Sequence, residues 1–287
     1  MNTLITLGRN VTRRAFIAVT AALTLGALTL DTTQAQTTIA GIKRGGVLKV
    51  GVQVAQVPWG FTDASGKLTG YDIEFVEMLA KDLGVKPEFI PVTPANRTAA
   101  LLTGQVDVLA AVVGIFPDRQ KVVLFSRPYS DIVVTFIAKA GPQMKQWADL
   151  KGMRVGVPRG TPQDAAVTKA NPPGVTIQRF DDDSTTVQAL ISSQVDAIGV
   201  AYAQISNIAK VAGPGKYESR LMLQRAFNGL AIRPGEREWL NYLNDFIGRK
   251  IANGELAVLY KKWLVADLPS LPTTGEGEAP LPVVFIK

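Results

Sequence analysis

The sequence predicts an α/β fold of two lobes, and three observations carry that expectation. Strand and helix patterns alternate from residue 47 to 113. The same alternation restarts near Trp147 and runs to residue 200. Two β-rich runs, 131–138 and 229–233, stand between the two units and after the second. Repeated strand–helix–strand units of this kind build a mostly parallel sheet with helices on both faces. Two units in series imply two cores. Two extended crossings imply a chain that leaves the first lobe and later returns to it.

Residues 47–52 follow Gly45 and Gly46 and read as a short strand. Ile73, Val76, Leu79, Ala80 and Leu83 then recur at helical spacing, with Asp72 ahead of them as N-cap and Gly84 as the C-terminal stop. Residues 89–92 read as the second strand, 96–102 as a helix closed by Gly104, and 106–113 as a third, buried strand. In the second unit, 153–157, 175–180 and 195–200 read as strands, and 163–170 and 185–192 as helices. Helices over 236–252 and 255–263 pack back on the first lobe. The tail from Leu268 is Pro- and Gly-rich and reads as extended or disordered. The expected division is lobe one over 45–134 and 229–267, lobe two over 139–226, and a tail over 268–287.

The front of the chain has a different composition. Arg13 and Arg14 precede the apolar run 15–30, and Thr33, Gln34 and Ala35 offer small residues for a cleavage site. A basic front, a short apolar middle and a small-residue exit describe a secretory signal. Residues 1–35 therefore read as a cleaved leader of the twin-arginine type, with an ordinary Sec signal as the alternative. The remainder is expected in the periplasm as a soluble protein. The chain has no Cys, so it has no acylation site, disulfide, thiolate metal site or cysteine nucleophile. It has no His, which removes the commonest general base and any Ser-His-Asp triad. The net charge is +7, with the basic residues scattered and no interleaved aromatics, so a nucleic-acid partner is not expected. Nothing in the sequence calls for a metal or cofactor. Asp181, Asp182 and Asp183 look like a metal cluster but precede a helix, where capping and the helix dipole explain them.

Several stretches, in order, resemble a known family. They include 66–73 (Gly-Lys-Leu-Thr-Gly-Tyr-Asp-Ile), 102–107, Pro117-Asp118-Arg119 with 125–129, 149–152 leading to Arg159-Gly160-Thr161, 189–197, and 254–263. Each is soft alone, and their order and spacing together are specific. Over about 45–268 the chain is similar to the family 3 extracellular solute-binding proteins, the periplasmic receptors of polar amino-acid ABC transporters. The resemblance implies the type II periplasmic-binding-protein fold, two α/β lobes joined by two hinge strands that close over a ligand. It also implies a monomer that serves an inner-membrane ABC permease.

The same resemblance suggests the binding residues. Arg119 stands where the family holds the ligand carboxylate, and its planar fork of donors suits that task. Gly114, five residues earlier, offers a backbone N–H. Gly160 and Thr161 precede a helix and offer lobe-two donors, although Thr161 also reads as an N-cap. Arg97, after Asn96, is placed to meet a second carboxylate, and an ion pair with Glu88 or Asp107 is the alternative. Trp59 is expected as an aromatic wall, with a core position as the alternative.

This sequence departs from the family at three places. Ala201 stands where an Asp usually holds the ligand ammonium. Gln53 and Gln56 thin out the polar and aromatic residues of the first loop, and Val112 replaces a common hydroxyl. The ligand is therefore expected to be a small anionic solute or an amino acid, acidic ones preferred, with the Tyr202 hydroxyl as another acceptor. The competing function is a periplasmic enzyme similar to cyclohexadienyl dehydratases, for which Glu74, Glu77 or Glu88 would supply the acid. No motif places any of these in the cleft.

Overall fold

A computed structural model describes residues 38–141 and 144–276. The leader read over 1–35 lies outside the described residues. The first half of the chain runs α1 (Ile39–Gly45), β1 (Val47–Val52), β2 (Ala55–Gln56), β3 (Gly60–Thr62), β4 (Leu68–Thr69), α2 (Tyr71–Leu83), β5 (Lys86–Pro91), α3 (Arg97–Leu102), β6 (Val108–Leu109), α4 (Pro117–Gln120), β7 (Leu124–Phe125) and β8 (Ser130–Lys139). The second runs β9 (Arg154–Pro158), α5 (Pro162–Ala170), β10 (Thr176–Phe180), α6 (Asp183–Ile191), β11 (Ala197–Ala201), α7 (Gln204–Ala212), β12 (Tyr217–Asn228), β13 (Ala231–Ile232), α8 (Arg237–Ala252) and α9 (Glu255–Leu264).

Two five-stranded sheets organise two lobes, in the orders β5-β1-β6-β13-β7 and β10-β9-β11-β8-β12. In the first, β5 and β6 lie parallel to β1, and β13 runs antiparallel to β6 and β7. In the second, β10 and β11 lie parallel to β9, and β8 is antiparallel to both β11 and β12. Each lobe thus has a parallel edge fed by helices and an antiparallel edge supplied by the chain as it crosses. The strands β8 and β12 pair along their lengths, from Ser130–Asn228 to Lys139–Tyr217. A small antiparallel sheet, β2-β3-β4, precedes α2.

Several local expectations need correction. Asp72 does not cap α2. The cap position is Gly70, and Asp72 is buried inside the first turn. The apolar run 106–113 forms a strand only at Val108–Leu109, because the chain past Leu109 bends to build the site. Within 229–233 only Ala231–Ile232 pairs. The long crossing is β12, where Glu218, Ser219 and Arg220 and then Gln224 and Arg225 flank the short apolar run at Leu221–Leu223, so no long apolar run marks the strand. Residues 268–276 have no helix or strand but dock on the first lobe, where Gln120 Nε2 donates to the Gly275 carbonyl at 2.9 Å.

The first lobe's core is aromatic. Tyr71, Phe75 and Tyr129 stack face to face, with Phe75 and Tyr129 centroids 4.6 Å apart, and Phe246 of α8 and Tyr260 of α9 close on them. Offset stacks of this kind add about 0.5–1.5 kcal/mol per pair beyond their buried area. The crossing strands are tied to this core through Asp131. Its buried carboxylate accepts from the Tyr260 hydroxyl and pairs with Arg225 Nε of β12 at 2.7 Å. Asp131→Ala leaves the Tyr260 hydroxyl without its acceptor, and we expect a loss of about 2 kcal/mol in stability. Denaturant unfolding checks this, and a change below about 0.5 kcal/mol would remove Asp131 as the tie.

Candidate functional site

The site starts where β6 ends. Val112 takes a left-handed backbone, φ 52°, which few β-branched residues adopt. Two buried groups hold it there. Its N–H donates to Asp72 Oδ2 at 3.2 Å, and its carbonyl accepts from Arg97 Nη1 at 3.3 Å. Arg97 Nη1 also donates to the Ala111 carbonyl at 2.6 Å, and the Tyr129 hydroxyl donates to Asp72 Oδ1 at 2.8 Å. Burial pushes the Asp72 carboxyl up to about 7 despite these bonds. Burial, and then the nearby Arg119 guanidinium, lowers Arg97 to about 9.

The turn at Val112 delivers Gly114 and Arg119. Gly114 bridges to Asn228 at the end of β12, through bonds from Ile115 N–H to the Phe227 carbonyl and from Gly229 N–H to the Val113 carbonyl. The Gly114 N–H takes no part in that bridge. A Cβ at Gly114 would stand 2.5 Å from the Phe116 ring, so glycine lets the ring close over the loop. Arg119 follows in α4, with Nη1 on the Gly114 carbonyl at 3.1 Å and its guanidinium over the Phe116 ring. Burial lowers its pKa to about 10. A carbonyl and a ring face leave the remaining donors of the fork for an anion.

A cavity between the lobes collects these groups. Gln53, Gln56, Arg97, Val112, Gly114, Phe116 and Arg119 line it from the first lobe, with Ile132 and Val134 on the crossing strand β8. Thr161, Pro162, Gln163 and Asp183 face them from the second lobe. Gln53 and Gln56 are buried and bonded to each other, and Gln53 Nε2 also reaches the Ala111 carbonyl at 2.9 Å. A wider groove of about 1100 Å³ opens beside the cavity and shares Phe116, Arg119, Thr161 and Pro162 with it.

Arg97, Gly114, Arg119 and Thr161 therefore line one cavity. Arg97 pairs with neither Glu88 nor Asp107 and braces the loop carbonyls instead. Of the lobe-two residues, Thr161 takes the N-cap role the sequence also offered: its hydroxyl donates to the Pro158 carbonyl at 2.7 Å and accepts from Asp164 N–H at the start of α5. The Gly160 N–H goes to Asp164 Oδ2, and Gly160 packs against Ala95 and Pro94 of the first lobe, where a Cβ would sit 3.2 Å from the Ala95 Cα. Gly160 is thus a lobe-to-lobe contact. Trp59 lies in the first lobe's core, edge-on to Tyr71, and does not line the cavity. Tyr202 is half exposed outside the cavity, with its N–H on the Val133 carbonyl.

Sequence reasoning missed Asp183. Asp182 alone caps α6, accepting from Thr185 N–H at 2.8 Å. Asp183 is 1 % exposed, faces the cavity, and its Oδ1 has no hydrogen-bond partner. Burial, and secondarily Asp182, pushes its carboxyl up to about 7, against the pull of Arg97. The signal was present in the sequence: three consecutive Asp residues stand at the start of a helix that needs one cap. Among the described residues no cluster of three or more His, Cys, Asp or Glu could hold a metal ion. No helix there is long and apolar enough to cross a membrane.

Comparison with known proteins gives a consistent picture. Residues 48–266 match the bacterial extracellular solute-binding proteins, family 3. The L-cystine-binding protein TcyJ of Escherichia coli (strain K12) is 33% identical over 229 residues, covering 79% of this chain and 86% of that protein. The solved solute receptor for L-cysteine of Neisseria gonorrhoeae superposes with a TM-score of 0.74 at 32% identity, over 80% of this chain and 94% of that one. An ancestral amino acid-binding protein, a precursor of cyclohexadienyl dehydratase, superposes with a TM-score of 0.73 at 32% identity, over 79% of this chain and 100% of that one. The type II two-lobed fold expected from the sequence is the fold of these neighbours.

The two raised carboxyls make a prediction for stability. Folded Asp72 and Asp183 keep their protons up to about pH 7, whereas unfolded they release them near the ordinary value of 3.8. Between those limits the folded state binds more protons than the unfolded one, so stability from these groups falls as pH rises and is lowest above about 7. Asp183→Asn should flatten that decline in thermal melts taken from pH 4 to 8. A slope equal to the parent's would show that Asp183 does not titrate as a buried acid.

Proposed function

The chain belongs to the bacterial extracellular solute-binding proteins, family 3, and from that premise we propose that it is the amino-acid receptor of an ABC importer. The observation that carries this reading is the convergence of Arg97, Gly114, Arg119 and Thr161 from both lobes on one cavity. In this reading the solute's carboxylate sits on the free edge of the Arg119 fork, with the Gly114 N–H as a second donor. The cavity itself is small, about 30 Å³, roughly the share of one water in the liquid. An amino acid needs more room, so the lobes must part to admit it and close on it by hinge motion. Two guanidiniums against one carboxylate leave the wall net positive, which supports an anion-bearing solute, acidic amino acids included. The wider groove beside Arg119 gives a longer side chain somewhere to go.

The remaining parts of the proposal follow from sequence and family. Residues 1–35 act as a twin-arginine leader, and the protein works in the periplasm as a monomer that delivers its solute to an inner-membrane permease. Replacing Arg13 and Arg14 by Lys should leave unprocessed protein in the cytoplasm. Normal export of that variant would return the leader to the Sec class.

A receptor role is also favoured over catalysis. Among the described residues, the acids lining the cavity or bracing its loop are Asp183 and Asp72, and Glu74, Glu77 and Glu88 do not line it. We expect no consumption of prephenate or arogenate, and turnover proportional to protein would overturn the receptor reading. Binding is tested by calorimetry with L-cystine, L-cysteine and L-glutamate. For the solute that binds, Arg119→Ala should cost about 3 kcal/mol, roughly a hundredfold in affinity, because a closed site would then hold an unpaired carboxylate. Unchanged affinity would take Arg119 out of the site.

A further inference from the structure

We propose that Asp183, at the start of α6, is the residue that holds the solute's ammonium group, so that the receptor selects amino acids over the matching acids without an amino group. The inference rests on the receptor reading above and deepens it. A carboxylate buried to 1 % exposure normally has its oxygens bonded, yet Asp183 Oδ1 has no partner. Capping does not explain the residue, since Asp182 supplies the cap. Nor does an ion pair within the protein. Arg97, whose charge acts on it, uses Nη1 on the Ala111 and Val112 carbonyls and makes no salt bridge with it.

What the carboxylate does have is the cavity. It stands on the second lobe, and Arg119 stands on the first. An amino acid carries its two opposite charges on one carbon, and a site with a guanidinium on one wall and a carboxylate on the other matches that pair. Ala201, at the end of β11, cannot supply a carboxylate. Its cross-strand partner Val134 brings only an apolar side chain to the cavity. The next residue of α6 places Asp183 at the closing edge, because the Ser184 hydroxyl donates to the Ala55 carbonyl of the first lobe at 3.0 Å. Asp183 therefore reaches its position as the lobes meet, and it adds its charge to a solute already seated on Arg119.

Matched solutes test this: L-glutamate against glutarate, and L-cysteine against 3-mercaptopropionate, on the parent and on Asp183→Asn by calorimetry. For the amino acid that binds, we expect the parent to discriminate against its amino-free partner by roughly tenfold or more, the value of one charged hydrogen bond. In Asp183→Asn the gap should fall below about threefold. A gap that survives the substitution, or a parent that binds both partners equally, overturns the assignment while leaving the receptor reading standing. No binding of either member of any pair, nor of L-cystine, overturns the receptor reading and this assignment with it. A second readout separates a binding role from a structural one. Without ligand at pH 8, Asp183→Asn should melt at a higher temperature than the parent, since a buried carboxylate without a partner is removed. A lower melting temperature would mark Asp183 as a structural counter-charge to Arg97 and overturn the proposal.

Discussion

The site depends on one buried carboxylate. Asp72 accepts from the Val112 N–H and from the Tyr129 hydroxyl, and so fastens the loop after β6 to the aromatic stack of the first lobe. Left-handed backbone costs an L-residue roughly 1–2 kcal/mol, and a β-branched one is poorly suited to it. Val112 keeps that conformation because it is held from both sides, its N–H by Asp72 and its carbonyl by Arg97. Without the turn, β6 would continue and Gly114 and Arg119 would point elsewhere. Strain of this kind collects where a chain must place functional groups, and its cost falls on the surrounding structure. Here the surroundings are two buried charged groups, and burial itself pushes the Asp72 carboxyl up to about 7 and brings the Arg97 guanidinium down to about 9.

Much of the architecture was legible in the sequence, for physical reasons. The helices over Arg237–Ala252 and Glu255–Leu264 announce themselves by helical spacing, and Pro162–Ala170 by Thr161 and Pro162 at its start. Strands buried on both faces, such as Ala197–Ala201, read as apolar runs. The crossing strand β12 was invisible because Glu218, Arg220, Gln224 and Arg225 interrupt its apolar pattern, and its partner β8 is remote in sequence. Asp72 reads as a cap in the sequence because a carboxylate ahead of a helix has a local explanation. Its real partners, Val112 and Tyr129, are forty or more residues away.

The same limit governs the site. Motif order places Arg119 and Arg97, and both line the cavity, while Trp59, which the resemblance puts on the site wall, takes its alternative place in the core against Tyr71. Asp183 is hidden in the sequence for the opposite reason. Its neighbour Asp182 satisfies the local rule, and only the approach of the second lobe shows that Asp183 faces Arg97 and the cavity. Local chemistry identifies caps and cores, and a cleft between two lobes is written in pairs of residues that no spacing rule connects.

Closure ties these elements together. The strands β8 and β12 carry the chain between the lobes, Asp131 anchors them to α9, and Gly160 and Ser184 bring the second lobe against Ala95 and Ala55 of the first. A solute seated on Arg119 would be covered by these contacts, which is how a small cavity achieves selectivity from few groups. A crystal structure of the chain grown with a bound amino acid tests this most directly. The carboxylate should lie within hydrogen-bond distance of the Arg119 guanidinium, in the cavity between the two sheets. An amino acid found only in the outer groove or elsewhere, with Arg119 uninvolved, would contradict it.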